Sequence, residues 1–446
     1  MSFGARLFLW AYSVLCFLLQ PVIALYLIRR AIRQPEYLQG WAQRFFASVP
    51  VCAPLDPPRQ RIWVHAVSVG EAHAISPLVT QWASIHPDHE WLISCTTPTG
   101  RDTCERLYGH LNGVHVFYLP YDLPYLVSRC LRRLQANALW VVETEIWPNL
   151  LLKARKAGLQ TALINARVSP RTGQRLAKLA FISGPVLKSV SKVLCQTVED
   201  AAVFKQIGCD AHAVTGNLKF DVALKPQLAT LGRIWRKELQ CELVLVLASS
   251  REGEEALFLD VLNRTQFFKR MPKAAVWIVP RHPQRFDEVF DLMSTFATRM
   301  GVARPVRRSK LFDTDGCLLN PSVANRSARL VLGDSMGEMP AYFSAADLAL
   351  LGGSWLPFGG QNLIEACAYG CPVWLGPHTF NFAKAAEDAL RIGAAQRFGS
   401  IQAACEHFMA GEQSLEPAKK AAFSYARSHR GATQRSLDAL LGRNSD

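Results

Sequence analysis

Glu143-Thr144-Glu145-Ile146-Trp147-Pro148-Asn149 places two carboxylates and an amide directly after an apolar run ending at Val142. Charged groups at the end of a buried strand are costly unless they bind a ligand or one another. Glu143 and Glu145 are therefore candidate site residues. Ser68-Val69-Gly70-Glu71 follows another apolar run in the same manner. Glu71 admits two readings. It is a first-turn carboxylate stabilised by a helix dipole, or a base that takes a proton from an attacking hydroxyl. Arg167, after Asn165-Ala166, and Lys219, in Gly216-Asn217-Leu218-Lys219-Phe220-Asp221, close two further runs. Each is either a solvated charge or a clamp for an anionic group.

The second half of the chain repeats the pattern. In Ser249-Ser250-Arg251-Glu252-Gly253-Glu254-Glu255 the serines and glutamates are explained by helix capping, and Arg251 is not. Arg281 lies in Pro280-Arg281-His282-Pro283, where a guanidinium on a short loop suits phosphate. His282 reads by default as a surface residue. Gly337, in Gly333-Asp334-Ser335-Met336-Gly337-Glu338-Met339, allows a ligand to approach the backbone beside Met336 and Glu338. Gly352, Gly353, Gly359 and Gly360 make a loop that feeds a helix starting near Gln361 or Asn362 and ending near Tyr369, with Gly370 as its C-cap. Such a start presents free backbone N–H groups and a positive dipole end to a phosphate or carboxylate. Glu365, one turn in, reaches a ribose diol. The same stretch also fits an ordinary strand–loop–helix connection.

No Walker motif and no GxGxxG fingerprint stands in these loops, which argues against an NTPase or an NAD enzyme. No His/Asp/Glu cluster demands a metal. The expectation is a site without metal or cofactor.

The elements that must position these residues are short apolar strands alternating with helices. Strands are expected at 61–68, 90–97, 114–119, 138–142, 161–166, 192–196 and 211–214, with helices between them. A second series runs through 243–248, 274–279, 330–332, 348–351 and 372–375, followed by a basic helix at 417–441. Short strands with helical crossovers make an α/β fold with doubly wound, mostly parallel sheets. The predicted organisation is an N-terminal segment 1–33, a Rossmann-like domain 34–220, a hinge 221–240, a second Rossmann-like domain 241–412 and a C-terminal helix 413–446. The ligand site is expected in the cleft, at the carboxyl ends of the strands.

With 446 residues, 50% of them hydrophobic and 19% charged, the chain is globular and long enough for two cores. The net charge of +14 suits nucleic acid, anionic lipid or a phosphorylated substrate. The 12 cysteines have no C-x-x-C spacing and sit in apolar runs, as buried thiols do in a reducing compartment. Leu7–Ile28 carries no charge, while Arg29, Arg30, Arg33 and Arg44 follow it. The expectation is a single membrane anchor with the body on the cytoplasmic face. Pro21 in mid-span leaves open a kinked or partly inserted anchor.

Taken in order, HAVSVGE at 65–71, ETEIWPN at 143–149, NARVS at 165–169, GNLKFD at 216–221, SSREGEE at 249–255, VPRHPQRF at 279–286, GDSMGEM at 333–339 and the glycine loop up to Asn381-Phe382 resemble one family. It is the transferases of 3-deoxy-D-manno-octulosonic acid (Kdo), which move Kdo from CMP-Kdo to a lipid A precursor, lipid IVA, in lipopolysaccharide synthesis. The resemblance implies a GT-B glycosyltransferase. Its two Rossmann-like domains face each other across a cleft, acceptor side first and donor side second, with the C-terminal helix crossing back. It also implies an inverting, metal-independent transfer at the inner membrane. By the same resemblance Glu71 is the general base, and the cytidine monophosphate lies against Arg281, the Met336-Gly337-Glu338 loop and Asn362. Glu365 holds the ribose, and Lys219 and Arg251 balance the phosphate and the Kdo carboxylate. Glu143, Glu145 and Arg167 support the acceptor side. Gln361 stands where the family commonly has histidine, and neither of the family's prolines near Glu365 is present.

Two rival readings compete. A GT-B transferase of UDP-sugars at the membrane shares the architecture and differs in donor. A membrane-tethered basic protein that binds nucleic acid or lipid without chemistry predicts basic clusters interleaved with aromatics. Strand-end carboxylates serve no purpose in such a protein, so no nucleic-acid partner is expected.

Overall fold

In a computed structural model the chain is described over residues 3–32, 34–168, 170–178, 180–221, 224–313, 315–319, 329–410 and 414–443. Ser169 of the NARVS block lies outside the described residues. The chain divides into two compact units, 1–221 with 430–446, and 222–429.

The first unit is built on a seven-stranded sheet of β1 (Arg61–His65), β2 (Glu90–Cys95), β3 (His115–Tyr118), β4 (Ala138–Val142), β5 (Gln160–Ala166), β6 (Lys192–Cys195) and β7 (Ala213–Val214). Their order is β3-β2-β1-β4-β5-β6-β7 and every pairing is parallel. Alternate residues feed two cores. Trp63, Leu92, Phe117, Leu139 and Leu163 enter one. Ile62, Val64, Trp91, Ile93, Trp140 and Ile164 enter the other. With both faces covered, the strands read as unbroken apolar runs. The order reverses at β1, so the crevice between the ends of β1 and β4 is the topological switch point.

Helix Ala432–Leu441 belongs to this unit. Ala432 and Leu437 are buried in its core. Asp221 accepts the Gly431 and Thr433 N–H groups at 3.0 and 2.6 Å, and Lys192 Nζ donates to the Ala439 and Leu440 carbonyls at 2.6 and 2.8 Å. The single helix expected over 417–441 is two helices, Glu416–His429 and Ala432–Leu441. Gly431, at φ +83°, breaks them by adopting a left-handed conformation.

The N-terminal apolar run is likewise two helices, Phe3–Leu18 and Gln20–Ala31, bent by 42°. Among the described residues no single helix is long and apolar enough to cross a membrane, and only this bent pair passes on length and composition. The expected single anchor is thus corrected. Pro21, in the first turn of the second helix, has no N–H to continue the first helix's ladder. The first helix is also tied to the body. Tyr12 donates to Asp122 Oδ2 at 3.1 Å, and Asn149 Nδ2 donates to Ser13 Oγ at 3.2 Å.

The second unit holds β8 (Leu243–Ser250), β9 (Ala274–Pro280), β10 (Val306–Arg307), β11 (Leu330–Leu332), β12 (Leu348–Leu351), β13 (Val373–Leu375) and β14 (Ala395–Arg397). They form a parallel sheet in the order β10-β11-β9-β8-β12-β13-β14, with its switch point between β8 and β12. Leu245, Leu247, Val276, Ile278, Leu348 and Leu350 supply its core. The stretch expected as a hinge, 221–240, contains helix Pro226–Glu238. Its Trp235 is fully buried against Phe312 and Tyr342 at ring distances of 5.5 and 5.3 Å. Burying one such ring stabilises the unit by about 1.5–3 kcal/mol.

Candidate active site

In the first unit the polar residues converge at the β1/β4 switch point. Ser68 caps helix Val69–Ile85 by accepting the Glu71 N–H, and the Glu71 carboxylate folds back to accept the Val67 N–H at 2.7 Å and the Ser68 hydroxyl at 3.1 Å. Ser68 and Glu71 thus cap the helix start together, the carboxylate taking the N–H of the residue before the cap, so the helix-start reading of Glu71 holds as far as it goes. A capping carboxylate normally prefers to be ionised. Glu71 does not: burial, and then the charges of Glu143 and Glu145, raise its pKa from 4.5 to about 7, against the opposing hydrogen bonds. A carboxylate that titrates near neutrality is suited to accepting a proton in one step and releasing it later.

Glu143 is held in a left-handed conformation, φ +59°, at the end of β4. Its N–H bonds the Ile164 carbonyl at 2.9 Å and its side chain meets Lys219 Nζ at 2.6 Å and Arg167 Nε at 3.3 Å. Glu145 accepts the Trp147 indole N–H at 3.0 Å. Burial, with Glu143 adding to it, raises the Glu145 pKa as well. Asn165 is also left-handed, φ +57°, where the β5–β6 register shifts. Its Oδ1 accepts the Leu218 N–H at 3.0 Å, and Asn217 Oδ1 accepts the Lys219 N–H at 2.9 Å. Those two amides aim Lys219 at Glu143. Strained non-glycine residues at two neighbouring strand ends mark a place where geometry is imposed by its surroundings. Glu71, Glu143, Glu145, Arg167 and Lys219 are therefore one cluster, and the two cations are engaged by Glu143 rather than held open.

In the second unit the glycine loop is arranged differently from expectation. Glu254 is completely buried, and its carboxylate accepts the N–H groups of Gly353 at 2.7 Å, Trp355 at 3.0 Å and Arg251 at 2.9 Å. The Gly360 N–H bonds the Gly353 carbonyl at 2.7 Å. The backbone donors expected to face a ligand are thus largely satisfied inside the protein. Gly352 is required by packing, because a Cβ there would stand 2.3 Å from the Ser249 carbonyl oxygen. The following helix, Leu363–Ala368, is short, and Asn362 caps it by accepting the Ile364 N–H at 3.0 Å. Glu365 is half-buried. Burial raises its pKa, opposed by the charges of Lys225 and Arg281, which places those cations near it. Arg281 is exposed at the end of β9.

Arg251 lies with its guanidinium 4.5 Å over the Phe358 ring and its Nε 3.0 Å from Glu252. In the turn after β11, Met336 is exposed and Gly337 has φ +78°. Glu338 is taken up internally. Arg308 binds one of its oxygens at 2.7 Å and the Ser335 hydroxyl binds the other. Its carboxylate shapes the turn and is not free for a ligand. Residues missed in the sequence are Lys225, inside the supposed hinge, Glu254, which reads there as a capping residue, and Arg308, which carries no signal there. Burial reveals Glu254 and Arg308, and its charge beside Glu365 reveals Lys225.

Two parallel α/β units with polar strand ends gathered at a switch point resemble the GT-B glycosyltransferases. A UDP-GlcNAc 2-epimerase of Neisseria meningitidis shares this fold at a TM-score of 0.53 and 15% identity, covering 86% of this chain and all of that one. Residues 39–222 match the family model for 3-deoxy-D-manno-octulosonic-acid transferase (kdotransferase). The chain is 40% identical to the 3-deoxy-D-manno-octulosonic acid transferase of Bordetella pertussis, over 95% of this chain and 96% of that one. It is 29% identical to that of Haemophilus influenzae, over 96% and 97%. The chain belongs to the Kdo transferase family and is a glycosyltransferase.

Proposed function

We propose that this enzyme transfers Kdo from CMP-Kdo to lipid IVA in lipopolysaccharide synthesis, with inversion, using Glu71 as general base. The observation that carries the reading is a buried carboxylate at the β1 end whose pKa stands at about 7 beside Glu143 and Glu145. In the reaction a hydroxyl oxygen of the acceptor bonds to the anomeric carbon of Kdo while the bond from that carbon to the CMP phosphate oxygen breaks. The hydroxyl proton passes to Glu71, and CMP leaves with the bonding pair. Arg281 stabilises the charge that develops on the leaving phosphate. Glu365 accepts from the ribose hydroxyls, and the exposed Met336-Gly337 turn borders the nucleotide. Glu143, engaged by Lys219 and Arg167, adds its charge to the burial that raises Glu71.

The same proposal puts the enzyme on the cytoplasmic face of the inner membrane. Support comes from the bent helix pair, where Phe3, Trp10, Leu18 and Leu25 are all more than half exposed, with Arg29 and Arg30 at its end. Apolar side chains above a basic rim suit an anionic leaflet.

The test is a transfer assay with CMP-Kdo generated in situ and lipid IVA, read by mass spectrometry, with wild type beside Glu71→Gln. Product from wild type and a large loss in the variant is expected. Undiminished product from the variant removes Glu71 as base. No product from folded wild type, followed by product with a UDP-sugar, overturns the donor.

A further inference from the structure

Among the described residues four arginines are at least nine-tenths buried: Arg44, Arg61, Arg285 and Arg308. Three have carboxylate partners: Arg61 with Glu90 at 2.6 Å, Arg285 with Glu255 at 2.7 Å and Arg308 with Glu338 at 2.7 Å. Arg44 is 4% exposed and has no ion pair. Its Nη2 donates to the Thr96 carbonyl at 2.9 Å, and its Nε is buried without a hydrogen-bond partner. Its guanidinium carbon stands 3.9 Å from the centre of the Tyr118 ring, and that of Arg101 stands 5.3 Å from the same ring. A ring face offsets only part of the cost of burying a charge. Arg101 Nε already pairs with Glu105 Oε1 at 2.8 Å, so Arg44 is the cation of the two that lacks an anion.

The place is defined by its neighbours. Thr96 and Thr97 follow β2, and Thr97 caps the eleven-residue helix Pro98–Tyr108, whose N-terminus favours negative charge. The Thr96 hydroxyl donates to the Val67 carbonyl at 3.2 Å, and the Val67 N–H donates to Glu71. Arg44 is thus three hydrogen bonds from the candidate base, by way of Thr96 and Val67, at the same edge of the sheet.

We propose that Arg44, Arg101 and the Thr96-Thr97 turn form an oxyanion subsite that takes a phosphomonoester of the acceptor and so sets its hydroxyl against Glu71. This rests on the reading of the first unit as the acceptor side. Arg44 and Arg101 act as positioning residues.

The experiment compares wild type, Arg44→Lys and Arg101→Gln with two acceptors, the bisphosphorylated lipid and the same lipid with one phosphate removed. Each of the two possible monophosphorylated lipids is prepared. Thermal shift of each protein with inorganic phosphate is measured in parallel. For wild type, one of the two removals is expected to raise acceptor KM about tenfold. The variants should show the same rise with the intact acceptor, no further rise with that dephosphorylated one, and an unchanged donor KM. Phosphate should stabilise wild type and stabilise the variants less. Equal penalties on all acceptors, or equal phosphate stabilisation of all proteins, overturn the subsite. Loss of binding to anionic vesicles with acceptor discrimination intact also overturns it, assigning the cluster to membrane lipid. Absence of transfer by wild type, with phosphate stabilisation that still depends on Arg44, overturns the proposed reaction and leaves the subsite standing.

Discussion

Lys219 Nζ stands 2.6 Å from Glu143 Oε1, joining the loop after β7 to the end of β4. The pair sets the field in which Glu71 titrates, because Glu143 raises the Glu71 pKa. Replacing Lys219 with Met leaves the Glu143 charge less compensated, so Glu71 binds its proton more tightly. The acid limb of the kcat/KM profile moves to higher pH, and activity on that limb falls roughly three- to tenfold. A pH–rate profile of the variant checks this. An unmoved limb would separate Glu71 from the Glu143 cluster.

Glu71→Gln keeps an acceptor for the Val67 N–H and loses the proposed base. Turnover is expected to fall by about 10²–10⁴. Stability moves the other way. With a folded pKa raised from 4.5 to about 7, the stability contributed by Glu71 is fully present below 4.5 and is lost as pH rises through 7. Glutamine does not ionise, so the Tm of the variant relative to wild type should rise between about pH 5 and about pH 8. A constant difference across that range would refute the raised pKa.

Glu254→Gln puts an amide NH2 against N–H groups that now share a carboxylate. Leaving buried donors unsatisfied costs about 1–3 kcal/mol each, and more for a charged acceptor. Denaturant unfolding of the variant should lose about 2–4 kcal/mol, and donor KM should rise because the glycine loop loses its brace. Wild-type stability in the variant would mean the loop holds itself.

Arg281→Ala and Glu365→Ala separate two roles. Removing the exposed arginine is expected to lower kcat about 10²-fold, as for other groups aimed at a developing negative charge. Removing Glu365 should raise donor KM about tenfold with a smaller change in kcat, since a ribose contact is the same in ground and transition states. Steady-state kinetics with varied donor distinguishes them. A matched kcat loss in both variants would contradict the assignment.

Leu18→Glu with Leu25→Glu tests the membrane face. Each leucine buried in lipid contributes about 1.5–3 kcal/mol, so with two removed co-sedimentation with anionic vesicles should weaken by at least about 100-fold. Binding by wild type should also fall with added salt through Arg29 and Arg30. Unchanged sedimentation would locate the contact elsewhere.

The two parallel sheets were legible because buried strands such as Val64, Ile93 and Val246 leave unbroken apolar runs between helical segments. β10 and β14 were not: at the sheet edges, Val306–Arg307 and Ala395–Arg397 are too short and too polar to stand out. Glu71, Glu143 and Glu145 were recognisable as strand-end carboxylates. What the sequence hid was engagement. Glu338 read as a ligand contact, yet Arg308, remote in the chain, holds it. Glu254 read as a capping residue, yet it occupies the centre of the glycine loop. Such facts depend on which distant groups meet, and local patterns carry no record of it.

Helix Ala432–Leu441 fills the core of a unit whose other elements all precede residue 222. On the ribosome, then, the first unit emerges with a gap that only the last residues made can close. Synthesis of the intervening 222–429 stretch occupies roughly 10–40 s at about 5–20 residues per second. For that time Asp221 and Lys192 have no helix to hold, and the Leu194 and Leu218 side chains beneath it are uncovered. A chain cut short before residue 430 lacks the helix that completes the core of its first unit.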